Sequence, residues 1–382
     1  MSSWLIPFFA GIVLVMAAGQ PAAAQRFLLV TGFESGNVVR FDLRTGSSDV
    51  VVSMTPGVDP NTADLPRGVA IDDDRNIYVA LRGTTQNIRR FSWDGQDLGS
   101  FTQSIGGYGP GQIGFDAAGD LIVAGDVSGD DSIYRYDGGT GELIDTFRIA
   151  GCDNNVGLLV SGDSAFAVSY FTGLVAKYEL SAAPVTGEIV VDGGEIASRS
   201  VGLATGHNGN LFLAAGGASA ILEFDSTDGH FVGRFIELDE APRDVVYEPE
   251  LGFYFVTTGS NSTSAVVFDQ AGSMVREFTD PSIVGAYSIA LVEIPPSSSL
   301  EPWPPEEAAL EVAPNPISTV GRFQIRGALP STDIVLFDCS GREVGRIDPA
   351  AASHWVATLA PGIYFARQTG ATGYGTRLSI VR

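Results

Sequence analysis

Lysine is almost missing from this 382-residue chain: Lys177 is the only one, and arginine carries nearly all of the positive charge. With Lys+Arg 22 against Asp+Glu 45, the net charge is −23. That balance argues against nucleic acid or an anionic lipid surface as partner, because phosphate recognition needs clustered Lys and Arg. It fits a solvated extracellular surface. Cysteine is equally sparse. Cys152 and Cys339 do not make a disulfide scaffold and fall in different predicted domains, so both are expected to be unpaired. Histidine occurs only at 207, 230 and 354, without metal-ligand spacing, and His207 and His230 fall in Gly-flanked turns expected to be exposed. No G-x-S-x-G elbow, P-loop, H-E-x-x-H or His-with-nucleophile constellation is present. Helix formers are few, whereas Gly 47, Pro 20 and 10% aromatics point to many short strands and turns.

Only one apolar run approaches membrane length, WLIPFFAGIVLVMAA near the start, with the small residues of PAAAQ just after it. It falls short of the about 18 apolar residues of a spanning helix and leads into an A-x-A-type cleavage site. Residues 1–24 are therefore expected to be a signal peptide cleaved after Ala24, although no Lys or Arg precedes the run; an uncleaved anchor is the alternative. The mature chain is expected to be exported and soluble.

From residue 25 to about 294 the chain is repetitive. An apolar strand, a polar turn and a second apolar strand recur as GVAIDDDRNIYVA (68–80), QIGFDAAGDLIVA (112–124), GLLVSGDSAFAVS (157–169), GLATGHNGNLFLA (202–214) and DVVYEPELGFYFV (244–256). Asp, Asn and Gly in the turns tolerate left-handed dihedrals and bond their own backbone. Each hairpin leads to a strand with an aromatic near its end, then usually an acid and a Gly turn. The aromatics are Phe41, Phe91, Tyr136, Tyr178, Phe224 and Phe268, spaced 50, 45, 42, 46 and 44 residues apart. A period near 45 with four short strands is that of a β-propeller blade. The first aromatic strand is preceded only by RFLLVTG, and AYSIALVEI (286–294) is an inner strand with no further repeat after it. Joining the two closes a ring without an exposed edge. The reading is a six-bladed propeller over 25–295, with seven blades as the alternative count. In this pattern, typified by PRGVAIDDDRNIYVA and NIRRFSWDGQDL, the chain resembles the NHL/YVTN family of bacterial propellers across about 26–294. That family includes binding scaffolds, surface proteins and some enzymes, so the resemblance implies a fold more than a function.

A propeller's usual site is the mouth of its central channel, where innermost strands begin. The segments expected there are Pro66-Arg67-Gly68, Gly109-Pro110-Gly111, Asp153-Asn154-Asn155, Ser198-Arg199-Ser200, Pro242-Arg243-Asp244 and Gly285-Ala286-Tyr287. Arg67, Arg199 and Arg243, with Asp153, Asn154 and Asp244, are the candidate ligand-binding set. Arginine forks pair with oxyanions at two points, which suits a carboxylate, sulfate or sugar acid. The plainer alternative is that these arginines bridge neighbouring blades through Asp153, Asp244 or backbone carbonyls. An enzymatic alternative is a calcium-dependent lactonase of the gluconolactonase or paraoxonase kind, whose propellers hold the ion with acids and asparagines. Asp153, Asn154, Asn155 and Asp244 offer oxygens, but three arginines at their level repel a divalent cation. The lactonase signature Ser-Asn-Gly is replaced here by Arg199-Ser200-Val201-Gly202. A third reading is a structural surface-layer component. No cofactor is expected, Ca²⁺ being the one ion the acids invite; Asp72-Asp73-Asp74 and Asp126…Asp130-Asp131 read as turn and surface acids instead.

IPPSSSLEPWPPEEAALEVAP changes character sharply, and its prolines with Ser and Glu make 296–310 an extended linker. Beyond it, 311–382 alternates like a small immunoglobulin-like β-sandwich of seven strands. EVAPNPIS, VLFDCSGREV, LAPGIYFARQ and the final RLSIVR resemble, in order and spacing, the C-terminal sorting domain of the bacterial type IX secretion system. The resemblance places Pro314, Asn315, Pro316, Asp338, Gly341, Arg342, Gly362 and Tyr364 at motif positions. It implies an outer-membrane translocon as partner, and a protein secreted from or displayed on the outer surface of a Gram-negative-type bacterium. Arg377 and Arg382 stand where lysines are typical of the family. A terminal strand read by a translocon must lie at the chain end, which is where RLSIVR lies; a generic spacer sandwich is the alternative. The expectation is an exported binding module without catalysis.

Overall fold

The computed structural model describes residues 24–294, apart from 60, 62, 84, 108, 126–131, 153 and 260, together with eight strands within 311–381. The signal-peptide segment, the linker and Asp153 lie outside the described residues. The chain divides into two compact units, Met1–Pro296 and Ser297–Arg382.

The first unit is a six-bladed β-propeller, each blade a four-stranded antiparallel sheet. Blade 1 combines Gln25–Gly32, Asn37–Asp42 and Ser48–Ser53 with Ala286–Ile294 as its innermost strand, in the register Leu28↔Leu291. The other innermost strands are Asp64–Ile71 (blade 2), Pro110–Phe115 (blade 3), Asn155–Ser161 (blade 4), Ser200–Thr205 (blade 5) and Pro242–Glu248 (blade 6). Each touches the next around the ring, and the strand of blade 6 touches Ala286–Ile294, so the ring closes through the two ends as the repeat predicts. Gln25 pairs with Ile294 at one end of blade 1 and Gly32 with Ala286 at the other, so the propeller's two ends lie together.

The repeat's recurrent residues have local work to do. In four of the five quoted hairpins the left-handed residue is Gly119, Gly162, Gly209 or Gly252; in the other it is Arg75, whose turn is held by Asp72 accepting from the Asn76 backbone at 2.7 Å. An aspartate after four of the six aromatic strands, Asp42, Asp137, Asp225 and Asp269, caps the outer turn: Asp137 Oδ1 accepts from the Gly139 and Thr140 backbone at 3.0 and 2.8 Å, and Asp269 Oδ1 from Ala271 and Ser273 at 2.9 Å. Much of the acidic excess is thus turn chemistry. The six spaced aromatics are all buried, none more than 6% exposed. They pack in the layers between blades, where Phe41 meets Phe278 and Tyr178 meets Phe147.

At the axis, innermost strands approach until no side chain fits between them. A Cβ on Gly111 would stand 2.3 Å from the Val156 carbonyl oxygen, and one on Gly157 would stand 1.7 Å from that of Val201. The residue of blade 6 that matches Gly157 is Asp244. Its buried carboxylate accepts from the Ile289 backbone at 2.8 Å and from Ser288 Oγ at 3.2 Å, which ties blade 6 to blade 1. Gln112 of blade 3, opposite in a ring of six, also bonds Asp244 and accepts from Leu158 N at 2.9 Å. Side chains of two opposite blades thus meet across the axis.

The second unit has a three-stranded sheet of Glu311–Ala313, Arg322–Arg326 and Trp355–Val356, and a five-stranded sheet of Ile317–Ser318, Thr376–Val381, Gly362–Gln368, Ile334–Asp338 and Glu343–Ile347, each in spatial order. Eight described strands stand where the sequence suggests seven, two of them only two residues long. Asp338 and Tyr364 are register partners on adjacent strands, and Gly362 opens the strand that carries Tyr364. Pro314, Asn315, Pro316, Gly341 and Arg342 lie outside the described residues. Among the described residues no helix is long and apolar enough to cross a membrane.

Candidate functional site

Every innermost strand carries one extra residue near its starting end, a bulge that re-aims a side chain toward the axis. The register shifts between Pro66 and Gly68, Pro110 and Ile113, Asn155 and Gly157, Ser200 and Leu203, Pro242 and Asp244, and opposite Val30–Gly32 in blade 1. Three bulges begin at a proline, which has no N–H to give to the ladder and so marks where pairing breaks. Arg67 and Arg243 are the extra residues of blades 2 and 6, Val156 that of blade 4, and Tyr287 lies in the bulge of blade 1.

These side chains open into a cavity of about 550 Å³. Blade 1 contributes Phe33, Glu34, Gly285, Ala286 and Tyr287; blade 2, Arg67 and Arg82; blade 4, Asn154, Val156, Tyr170 and Phe171; and blade 6, Arg243 and Gly259. Val156, Val201 and Tyr287 form a buried apolar cluster with Phe33 and Tyr170 packed against it, and all of these but Val201 line the cavity. Phe33 stacks on Tyr287 at 5.5 Å and 26°, and the Arg243 guanidinium lies 5.7 Å from the Tyr287 ring centroid. Thr257 Oγ1 donates to the Tyr287 carbonyl at 2.7 Å, which fixes that wall. Tyr170 and Phe171 meet edge to face at 5.2 Å, and Phe171 is 66% exposed at the lip. Among the described lining residues, three arginines stand with one carboxylate, Glu34, in a chain whose acids outnumber its bases two to one.

Of the residues singled out from sequence, the fold brings Arg67, Arg243 and Asn154 into this cavity. Arg199 is exposed and outside it: Ser200 holds the register place of Pro66, so Val201, not Arg199, comes next at the bulge. Arg199 instead aligns with Asn154, and both have left-handed backbones, φ 58° and 55°. Asp244 lies beneath the mouth; its partners are Ile289, Ser288, Val245 and Gln112, with no arginine among them. Burial pushes its carboxyl up to about 6, against four hydrogen bonds that favour the ionised form. Phe33, Glu34, Arg82, Tyr170 and Phe171 were missed by sequence reasoning. All lie at or just past the end of a second strand, which returns to the mouth because it is antiparallel to the first. The hairpin pattern contained that signal.

The described side chains of the mouth offer oxygens from Glu34 and Asn154, beside three guanidinium groups. Ca²⁺ asks for six to eight oxygen ligands, so this donor set does not suit it. Asp225, Asp228 and His230 come together in a solvent-facing turn away from the cavity. Their interactions are those of that turn, and His230 is held protonated more readily by Asp228.

No family model and no curated protein matches the sequence. Solved structures do match in fold. A chain of a nidogen–laminin complex superposes with TM-score 0.57 at 14% identity, over 70% of this chain and 98% of that one. A protein of unknown function from Bacteroides caccae gives 0.54 at 15%, over 70% and 99%. PorZ, a surface component of the type IX secretion system of Porphyromonas gingivalis, gives 0.44 at 14%, over 94% and 58%. The first two likenesses are of fold alone, and the third is too loose to support a conclusion.

Proposed function

We propose that the protein is an exported binding module that captures an oxyanion-bearing ligand, a carboxylate, sulfate or sugar acid, in the mouth of its propeller. The observation that carries this reading is the convergence of Arg67, Arg82 and Arg243 on one aromatic-walled cavity in a strongly acidic protein. Guanidinium forks beside a buried apolar cluster favour anions by geometry as well as charge. The far ends of blade 1, Gln25 and Ile294, sit at the other end of the innermost strand. Isothermal titration of the full chain against a panel of small carboxylates, sulfate and acidic glycans, with Arg82→Ala/Arg243→Ala alongside, tests it. Binding lost in the double variant supports the reading; a variant that is only less stable, in a protein that binds no member of the panel, makes the arginines struts between blades.

The strand–turn–strand repeat supports an NHL-type identity for the propeller. The ordered Pro-Asn-Pro, Asp-x-x-Gly-Arg and Gly-Ile-Tyr motifs of 311–382 support export through a type IX translocon. Removing 311–382 from the chain expressed in a host with that system should leave the propeller in the periplasm; its appearance outside the cell would sink the sorting role.

A further inference from the structure

The mouth cavity is lopsided. Its cations stand on one side, Arg67 and Arg82 in blade 2 and Arg243 in blade 6, flanking the stacked Phe33 and Tyr287 of blade 1. Blade 4, opposite blade 1 in the ring, presents a second aromatic pair, Tyr170 and Phe171. Glu34 and Asn154 supply polar groups at either wall.

Different anions would use this arrangement to different degrees. A small inorganic anion would engage the arginines and leave both aromatic walls idle. A flat aromatic acid would use the rings but would cover Glu34 and Asn154 without returning a hydrogen bond, at a desolvation cost. A pyranose that carries a carboxylate uses every group. Its carboxylate accepts from the guanidinium forks, its C–H faces lie against the rings, which bury apolar area and keep a polar edge wet, and its hydroxyls donate to Glu34 and exchange hydrogen bonds with Asn154. The volume, about 550 Å³, lies within the roughly 300–1,000 Å³ of small-molecule sites. We propose, resting on the anion-binding reading above, that the ligand is a short saccharide bearing a uronic acid.

Four probes separate the uronic-acid assignment from general anion binding: digalacturonate, neutral digalactose, sodium sulfate and benzoate. Each is titrated calorimetrically into the full chain, the Arg243→Ala variant and the Phe171→Ala variant. Phe171 is mostly exposed, so its truncation should leave the fold intact, which circular dichroism checks. Digalacturonate should bind at least about ten-fold tighter than the other three, a difference of one charge-assisted hydrogen bond or more. Arg243→Ala should weaken it by about ten-fold or more, and Phe171→Ala by roughly three- to ten-fold. If sulfate or benzoate binds as tightly as digalacturonate and Arg243→Ala weakens that binding, the saccharide inference is overturned while the anion-binding mouth stands. If digalactose binds equally well, or none of the four binds, both are overturned.

Discussion

Blades 2 and 6 and blades 4 and 5 share one bulged backbone and differ in the side chain that the bulge carries. All four carry an extra residue at the start of the innermost strand, arginine in blades 2 and 6 and valine at the matching place in blades 4 and 5. Val156 and Val201 join Tyr287 in one buried apolar cluster, whereas Arg67 and Arg243 bring charge to the cavity. The ring requires the bulge, because neighbouring inner strands meet there at backbone distance. The identity of the bulged residue is left free, and that freedom is where recognition chemistry can be written.

The largest effect should come from attacking what the blades have in common. Gly157→Ala places a methyl 1.7 Å from the Val201 carbonyl oxygen and 2.3 Å from the Val168 side chain, and the Val201 backbone has no room to yield. It should destabilise the propeller by more than about 4 kcal/mol, measured by urea unfolding; a near-neutral result would mean the axis is looser than drawn. Next comes Asp244, which holds the place that is glycine in blade 4. Its folded carboxyl titrates at about 6 against an ordinary 3.8, so the folded state holds its proton more tightly than the unfolded chain. The stabilisation is present below pH 4 and is lost as pH rises toward 6, by about 3 kcal/mol. Stability of the wild type relative to Asp244→Asn should therefore fall across that window, and a flat difference would refute the assignment.

Arg243→Val probes the bulged side chain itself, by giving blade 6 the residue of blades 4 and 5. Anion affinity should fall by roughly 10- to 100-fold, the worth of a charge-assisted hydrogen bond, while stability changes by less than about 1 kcal/mol. Titration and thermal unfolding of the same sample separate the two effects. The smallest effect is expected at Arg199, which is exposed and one register step before the bulge pair. Arg199→Ala should leave affinity within about two-fold; a large loss would move the site toward blade 5.

The blade count and the closure of the ring were legible because they rest on repeat spacing, hairpin turns and buried aromatics, all local features of the chain. Arg67 and Arg243 were legible for the same reason, since Pro-Arg before a strand marks a broken ladder. Arg199 misled because its flanking serines resemble a strand start, yet the bulge is defined by pairing with a partner strand. Arg82 lies within the second strand of blade 2. Only the antiparallel return of the second strand carries it, with Phe33, Glu34, Tyr170 and Phe171, back to the mouth.

The order of residues along the chain was enough to set the all-β class, six repeats, their closure through the two ends and the acids that cap the turns, because each depends on residues near one another in the repeat. Which side chains share the cavity, that Gln112 and Asp244 of opposite blades meet, and that the positive charge gathers on one side were settled only when the blades packed into a ring. Those facts depend on distances between blades up to half the ring apart, which repeat spacing does not encode.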